Sequence, residues 1–157
     1  MNIEVVDEGN LDKVLPLVRE YQVFYGAHPN SDRNRSHFSR LIKQSQEGMQ
    51  FLALDGNRAV GFATLYFPLS TLSASRGCVL NDLYTVEEYR GQGVGKSLMC
   101  HCSSFARLRG FSKMSWQTQT TNLLAQRLYN SLPASKEPWL GCELALRENA
   151  DRPIPAC

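Results

Sequence analysis

Residues 78–96 read CVLNDLYTVEEYRGQGVGK, and the order of elements within them decides the fold. Cys78 to Val86 is mostly apolar and rich in strand formers, interrupted only by Asn81 and Asp82, which predicts a buried strand. Glu87 and Glu88 make a short acidic turn. Gly91, Gly93 and Gly95 then remove side chains where a helix begins. Such a loop bares backbone N–H groups at the positive end of a helix dipole, a ready seat for phosphate oxygens.

Two phosphate-binding patterns fail on this loop. Gly95-Lys96-Ser97 supplies the end of a nucleotide P-loop, but the first glycine of that pattern falls on Arg90. A dinucleotide G-x-G-x-x-G fails because its third glycine falls on Lys96 or Leu98. What remains is Arg90-x-x-Gly93-x-Gly95, preceded by Leu83-Tyr84-Thr85.

On either side of the loop the chain alternates strands and helices. Ile3–Val6 predicts a strand, and Asn10 a cap for a helix with Leu11, Val14, Leu15, Val18, Tyr21 and Tyr25 on one stripe. Pro16 inside that stripe should kink or delay the helix. A loop, HPNSDRN, precedes a second helix near Arg35–Gln46. Phe51–Leu54 and Arg58–Phe67 flank the hairpin signal Asp55-Gly56-Asn57. Ser70–Ser75 is a polar loop. After the glycine loop, Val94, Leu98, Cys102 and Phe105 mark a helix ending at Gly110. Phe111–Thr118 predicts a strand, Asn122–Leu132 a helix and Leu140–Leu146 a last strand. This order predicts one domain over residues 1–157, of α/β (α+β) class, with a mixed sheet of six to seven strands and helices on both faces.

A second motif lies beyond the loop: Trp116-Gln117-Thr118, then Asn122-Leu123-Leu124-Ala125-Gln126-Arg127-Leu128-Tyr129. Asn122 and Tyr129, seven residues apart, share one helix face with the small Ala125 between them. Loop and second motif together resemble the GNAT N-acetyltransferase superfamily, and the element order is similar over essentially the whole chain. The LNDLYT form with its W-x-T…N…A…LY arrangement is most similar to the polyamine- and histone-type acetyltransferases, as is Tyr21-Gln22-Val23-Phe24-Tyr25.

The resemblance implies acetyl-CoA as co-substrate and a primary amine as acceptor. It assigns the coenzyme to Leu83, Tyr84 and Thr85, to the loop Arg90, Gly91, Gln92, Gly93, Val94, Gly95 and Lys96, and to Asn122. Acetyl transfer needs a neutral amine, a stabilised tetrahedral oxyanion and a proton for the departing thiolate. Thiolate basicity is near that of a phenol, at about ten, so Tyr129 is a matched acid. Strands that splay apart in the family would free backbone groups at Leu83–Thr85 to pair with pantetheine. Asp82, or a water it holds, is the candidate base; Asn81 stands where the spermidine/spermine acetyltransferases have a glutamate, and an amide cannot take that role. Tyr21, Tyr25 and Glu137 are candidate acceptor contacts, and a polyamine, diamine or amino acid the expected acceptor. Acetylation of a protein lysine or N-terminus, or a non-catalytic acetyl-CoA sensor, are the competing readings. Each residue also has a plainer one: Arg90 and Lys96 as surface cations, Tyr129 as core, Asp82 as a structural carboxylate, Glu137 as a loop glutamate.

Composition excludes other classes. A net charge of +2 with 20% charged and 43% hydrophobic residues fits a soluble globular domain and gives no nucleic-acid surface. No stretch has membrane-spanning length, and MNIEVVDEGN carries no export signal, so a cytoplasmic protein without a membrane partner is expected. Five cysteines form no CxxC pair and read as reduced thiols. With three histidines at unrelated spacings they predict no metal site. A homodimer is implied by the family alone.

Overall fold

The computed structural model describes residues 1–138 and 140–144. Strands β1 (Asn2–Val5), β2 (Gly48–Asp55), β3 (Arg58–Tyr66), β6 (Cys78–Thr85) and β7 (Met114–Ser115) form one sheet in the order β1-β2-β3-β6-β7. The first four are mutually antiparallel; β7 runs parallel to β6. The remaining strands, β4 (Leu69–Ser70) and β5 (Ser75–Arg76), make a separate ladder. The chain therefore has seven strands among the described residues, five of them in the central sheet.

Helices cover both faces. Helices α1 (Leu11–Phe24) and α2 (Ser31–Lys43) lie on one: Tyr21 meets Phe62 edge-on at 5.7 Å between ring centroids, and a Cβ on Gly48 would point at Leu41. Helix α3 (Val94–Leu108) lies on the other, with Val94 and Leu98 against Gly61 and with His101 and Phe105 against Phe51. Helix α4 (Leu123–Asn130) follows β7. Between the layers sit fully enclosed Phe51, Leu52, Phe62, Leu65 and Leu98, each removing apolar surface from water. Cys78 and Cys102 belong to this core, where burial pushes their thiols up to about 11 and about 12.

Several expectations are corrected. Helix α1 runs through Pro16, because Leu11, Val14, Leu17 and Val18 anchor it on both sides of the missing N–H. Asn10 stands at the N-cap position as expected, but its side chain makes no capping bond: its amide instead binds Asp7 N and Val5 O, tying the helix start to β1. Helix α2 starts earlier than predicted, at Ser31, because Asn30 Oδ1 accepts from Arg33 N at 2.9 Å. The Ser70–Ser75 loop is flanked by the β4–β5 ladder. The strand expected over Phe111–Thr118 shrinks to two residues. Of the last expected strand, residues 140–144 carry no strand pairing, and 145–146 lie outside the described residues.

Two irregularities position the site. In the β3–β6 ladder Thr64 faces Asp82 and Leu65 faces Leu80, so Asn81 has no opposite residue and forms a bulge. Parallel pairing of β6 with β7 covers only Cys78↔Met114 and Val79↔Ser115. Beyond that point, among the described residues, no strand pairs with the β7-facing edge of β6 from Leu80 to Thr85.

Candidate active site

A cavity of about 340 Å³ occupies the gap where β6 and β7 part. Leu80, Asn81 and Leu83 form its β6 wall, and Asn122, Ala125 and Tyr129 its α4 wall. Gln117, Thr118 and Gln119 close one side, and Tyr21 and Tyr25 at the end of α1 close the other. The helical spacing read in the sequence thus places Asn122, Ala125 and Tyr129 on a single cavity face. Asn122 also caps α4, its Oδ1 accepting from Ala125 N at 3.1 Å, which leaves its Nδ2 available to the cavity. Tyr129 packs against Trp116, with ring centroids 5.5 Å apart. Burial, then the neighbouring Tyr25, raises its pKa, so the phenol is protonated at neutral pH.

Asp82 lies behind the cavity wall rather than in it. Asn81 Nδ2 donates to Asp82 Oδ1 at 3.0 Å. Burial raises the carboxyl's pKa, while the hydroxyls of Tyr21 and Thr64, the Asn81 amide and the charge of His37 act in the opposite direction. Thr64 is fully buried, and its hydroxyl accepts from Gln50 Nε2 at 3.1 Å. Burial and then Asp82 raise the pKa of Tyr21. Tyr21 thus lines the cavity and also neighbours Asp82, each shifting the other's pKa. A carboxylate held above its ordinary range is a stronger proton acceptor, which suits a general base.

The glycine loop lies at the start of α3. Gly91 and Gly93 have φ of +76° and +87°, and nothing stands within 4 Å of where a side chain would begin. The first intrahelical bond here is Ser97 N to Gly93 O, so the amides of Val94, Gly95 and Lys96 precede it and point outward. Gly95 meets α4: a Cβ there would be 3.3 Å from Leu128 Cδ2 and 3.7 Å from Thr85 Oγ1. Open main chain, outward amides and the unpaired edge of β6 are a donor set that fits a diphosphate followed by an amide-bearing arm.

Other candidates fall elsewhere. Arg90 Nε donates to Thr85 O at 3.2 Å, and its guanidinium lies 5.6 Å and 5.9 Å from the Phe24 and Tyr84 ring centroids. It braces the loop to β6 and α1. Tyr84 donates to Glu20 at 3.0 Å on the same side. Gln92 Nε2 turns back to Glu88 O, and Lys96 is exposed on α3. Glu137 is exposed and does not line the cavity. Sequence reasoning missed Thr64, which faces Asp82 through strand register, and the pairing of His37 with Tyr66, which the packing of α2 creates. Among the described residues no three His, Cys, Asp or Glu side chains gather as metal ligands, and no helix is long and apolar enough to cross a membrane.

Comparison with known proteins agrees with this geometry. The model of the Acetyltransferase (GNAT) family matches residues 15–132. An uncharacterized N-acetyltransferase of Bacillus subtilis is 27% identical over 82% of this chain and 86% of its own length. A D-amino-acid N-acetyltransferase of Saccharomyces cerevisiae is 31% identical over 83% of this chain and 80% of its own. A mouse thialysine N-epsilon-acetyltransferase is 33% identical over 62% and 61%. The crystal structure of a probable acetyltransferase superposes with a TM-score of 0.83 at 30% identity, covering 95% of this chain and all of the other.

Proposed function

The chain belongs to the GNAT acetyltransferase family and is an acetyl-CoA-dependent N-acetyltransferase; from that premise we propose that its acceptor is the primary amine of a small cationic molecule. The observation that carries this reading is the cavity itself. It is lined together by Tyr129 of α4, by Tyr21 of α1 and by Leu80, Asn81 and Leu83 of β6, the strand that carries Asp82.

Acetyl-CoA supplies the activated acetyl thioester. The outward amides at the start of α3 hold its diphosphate, and the open edge at Leu83, Tyr84 and Thr85 holds its pantetheine arm, aided by Asn122 Nδ2. A backbone N–H on that edge polarises the thioester carbonyl, a contribution of about 3 kcal/mol for one well-placed donor. Asp82, through the Tyr21 hydroxyl, takes a proton from the acceptor. Tyr129 gives its proton to the leaving sulfur.

The cavity lining favours a small acceptor with a localised charge. Three tyrosines, Tyr21, Tyr25 and Tyr129, surround it, and its polar lining is neutral amide and hydroxyl. Ring faces attract an ammonium group, and the Asp82 carboxylate behind them adds to that field. The curated relatives named for thialysine and for D-amino acids are consistent with an amino-acid-like amine.

A thiol-release assay with diamines, polyamines, amino acids of both hands and lysine peptides tests the proposal. Turnover confined to small amines is expected. Turnover confined to the peptides would overturn the acceptor class, and acetyl-CoA binding without turnover on any amine would make the chain a sensor.

A further inference from the structure

A second cavity, of about 370 Å³, opens at the other end of β6 from the coenzyme loop. Arg76, in its lining, stands two residues before β6, and Arg109 directly follows α3. The glycine loop follows β6 and precedes α3, so the 15 residues of α3, roughly 22 Å of helix, separate the two places. As described, the linings of the two cavities share no residue.

Arg76, Arg109 and Phe111 converge here on Phe67, which is buried. Arg76 Nη1 donates to Phe67 O at 2.7 Å. The Arg109 guanidinium lies 5.8 Å from the Phe67 ring centroid, and its Nη2 donates to Ser45 O at 3.2 Å. Phe111 stacks on Phe67 with ring centroids 5.0 Å apart, and Ser75 and Ser112 add hydroxyls to the lining. Among the described residues no carboxylate lines this cavity. Glu47, next in the chain to the lining residue Gln46, is held by Arg40 at 3.2 Å. No Asp or Glu stands between Glu88 and Glu137, a stretch that includes Arg107, Arg109 and Lys113.

Two guanidinium groups gathered at one cavity repel each other unless an anion joins them. Each gives an N–H to a backbone carbonyl, which fixes the planar group and leaves further donors for a ligand. We propose that this cavity binds a small aryl carboxylate, at a site separate from that of acetyl transfer. Arg76 and Arg109 take the two carboxylate oxygens, a geometry the guanidinium fork matches. Phe111, backed by Phe67, takes the ring, and the serine hydroxyls bound the polar end. Apolar walls with a few convergent polar groups are the usual make-up of a small-molecule site. An inorganic anion would leave the aromatic wall unused.

The plainer account is that Arg109 offsets the carbonyl end of α3 and that Arg76 ties the β4–β5 turn to β3. Benzoate, its neutral isostere benzamide and inorganic phosphate separate the two accounts, titrated into the protein by calorimetry at fixed ionic strength. Benzoate should bind saturably, with a Kd on the order of 1 mM, and benzamide and phosphate more weakly by roughly tenfold. Arg76→Gln and Arg109→Gln should each weaken benzoate by about tenfold while acetyl-CoA affinity stays at the wild-type value. Ser112→Glu, which places a carboxylate beside the arginines at an exposed position, should abolish benzoate binding; it keeps the test decisive if an arginine variant fails to fold. No saturable benzoate binding, or binding that Arg76→Gln, Arg109→Gln and Ser112→Glu leave unchanged, would overturn the site. Displacement of benzoate by acetyl-CoA would do the same, because the probe would then lie in the catalytic cavity. Phosphate binding as tightly as benzoate would overturn the aryl class.

Discussion

Strand β6 has two unlike flanks. Toward β3 it is held by six register pairs, in a sheet where Phe51, Leu52, Ala53, Val60 and Ala63 have no exposed surface. Toward β7 it is held by two pairs, and helix α4 beyond them contributes no fully buried residue. One strand is thus the inner wall of a core and the open rim of a binding cleft. The core flank stabilises the fold through close packing, while the cleft flank leaves backbone donors free for a ligand. Stability and chemistry should accordingly separate by flank, and substitutions can show whether they do.

Removing the phenol on the cleft flank has the largest expected effect. Tyr129→Phe should cut kcat by about 100-fold or more, the usual weight of a general acid, with acetyl-CoA affinity by calorimetry nearly intact. Its melting temperature should change little, because Tyr129 is only half-buried. Unchanged turnover would remove Tyr129 as the acid.

Gly61→Ala makes the opposite test on the core flank. A Cβ there would lie 2.6 Å from Tyr84 O, with Val94 and Leu98 also in its way. The backbone of β6 must move, at a cost of about 1–3 kcal/mol typical of overpacking. For a chain of this size that lowers the melting temperature by roughly 2–12 °C, read by thermal denaturation. A melting temperature at the wild-type value would mean that β3 and β6 are not as close as the ladder requires.

The same division explains what the sequence revealed. The glycine loop and the Asn122–Tyr129 face were legible because each is local: positive φ, helical spacing and a cap are properties of neighbouring residues. Asp82 could be named from its place beside the acyl-binding segment. Its partner Thr64 could not, because it faces Asp82 through register, nor could the His37–Tyr66 pair, which the packing of α2 makes. Arg90 was ambiguous for a related reason, as its Phe24 and Tyr84 neighbours come from different elements, α1 and β6. Local turns also hid two elements: Asn30 capping α2 inside an apparent loop, and the short β4–β5 ladder across a polar segment.

Asp82→Asn sharpens the comparison where the two flanks meet. Burial raises the carboxyl's pKa above its unfolded value, so its favourable contribution is complete below the unfolded pKa and is lost as pH rises through the folded one. Above that window the charged form costs stability, and an uncharged amide avoids the cost. Asp82→Asn should therefore melt at or above the wild-type temperature at neutral and alkaline pH, with the advantage shrinking in acid, while activity falls. A clear loss of stability at neutral pH would show that the carboxylate is a structural anchor.

The smallest effect is expected at Asn122, which serves the cleft in two ways. Its Oδ1 caps α4, and a lost cap costs about 1 kcal/mol. Because α4 buries no residue completely, that cost should appear as fraying of α4 rather than as unfolding of the core. Asn122→Ala should thus shift the main melting transition by no more than roughly 2–4 °C while raising the KM for acetyl-CoA several-fold. Asn122→Asp keeps the cap oxygen, adds a favourable charge at the helix start, and removes the Nδ2 donor. If the donor matters to the coenzyme, the aspartate variant restores melting without restoring KM. If KM recovers together with melting, Asn122 serves the cleft only by holding α4 in place.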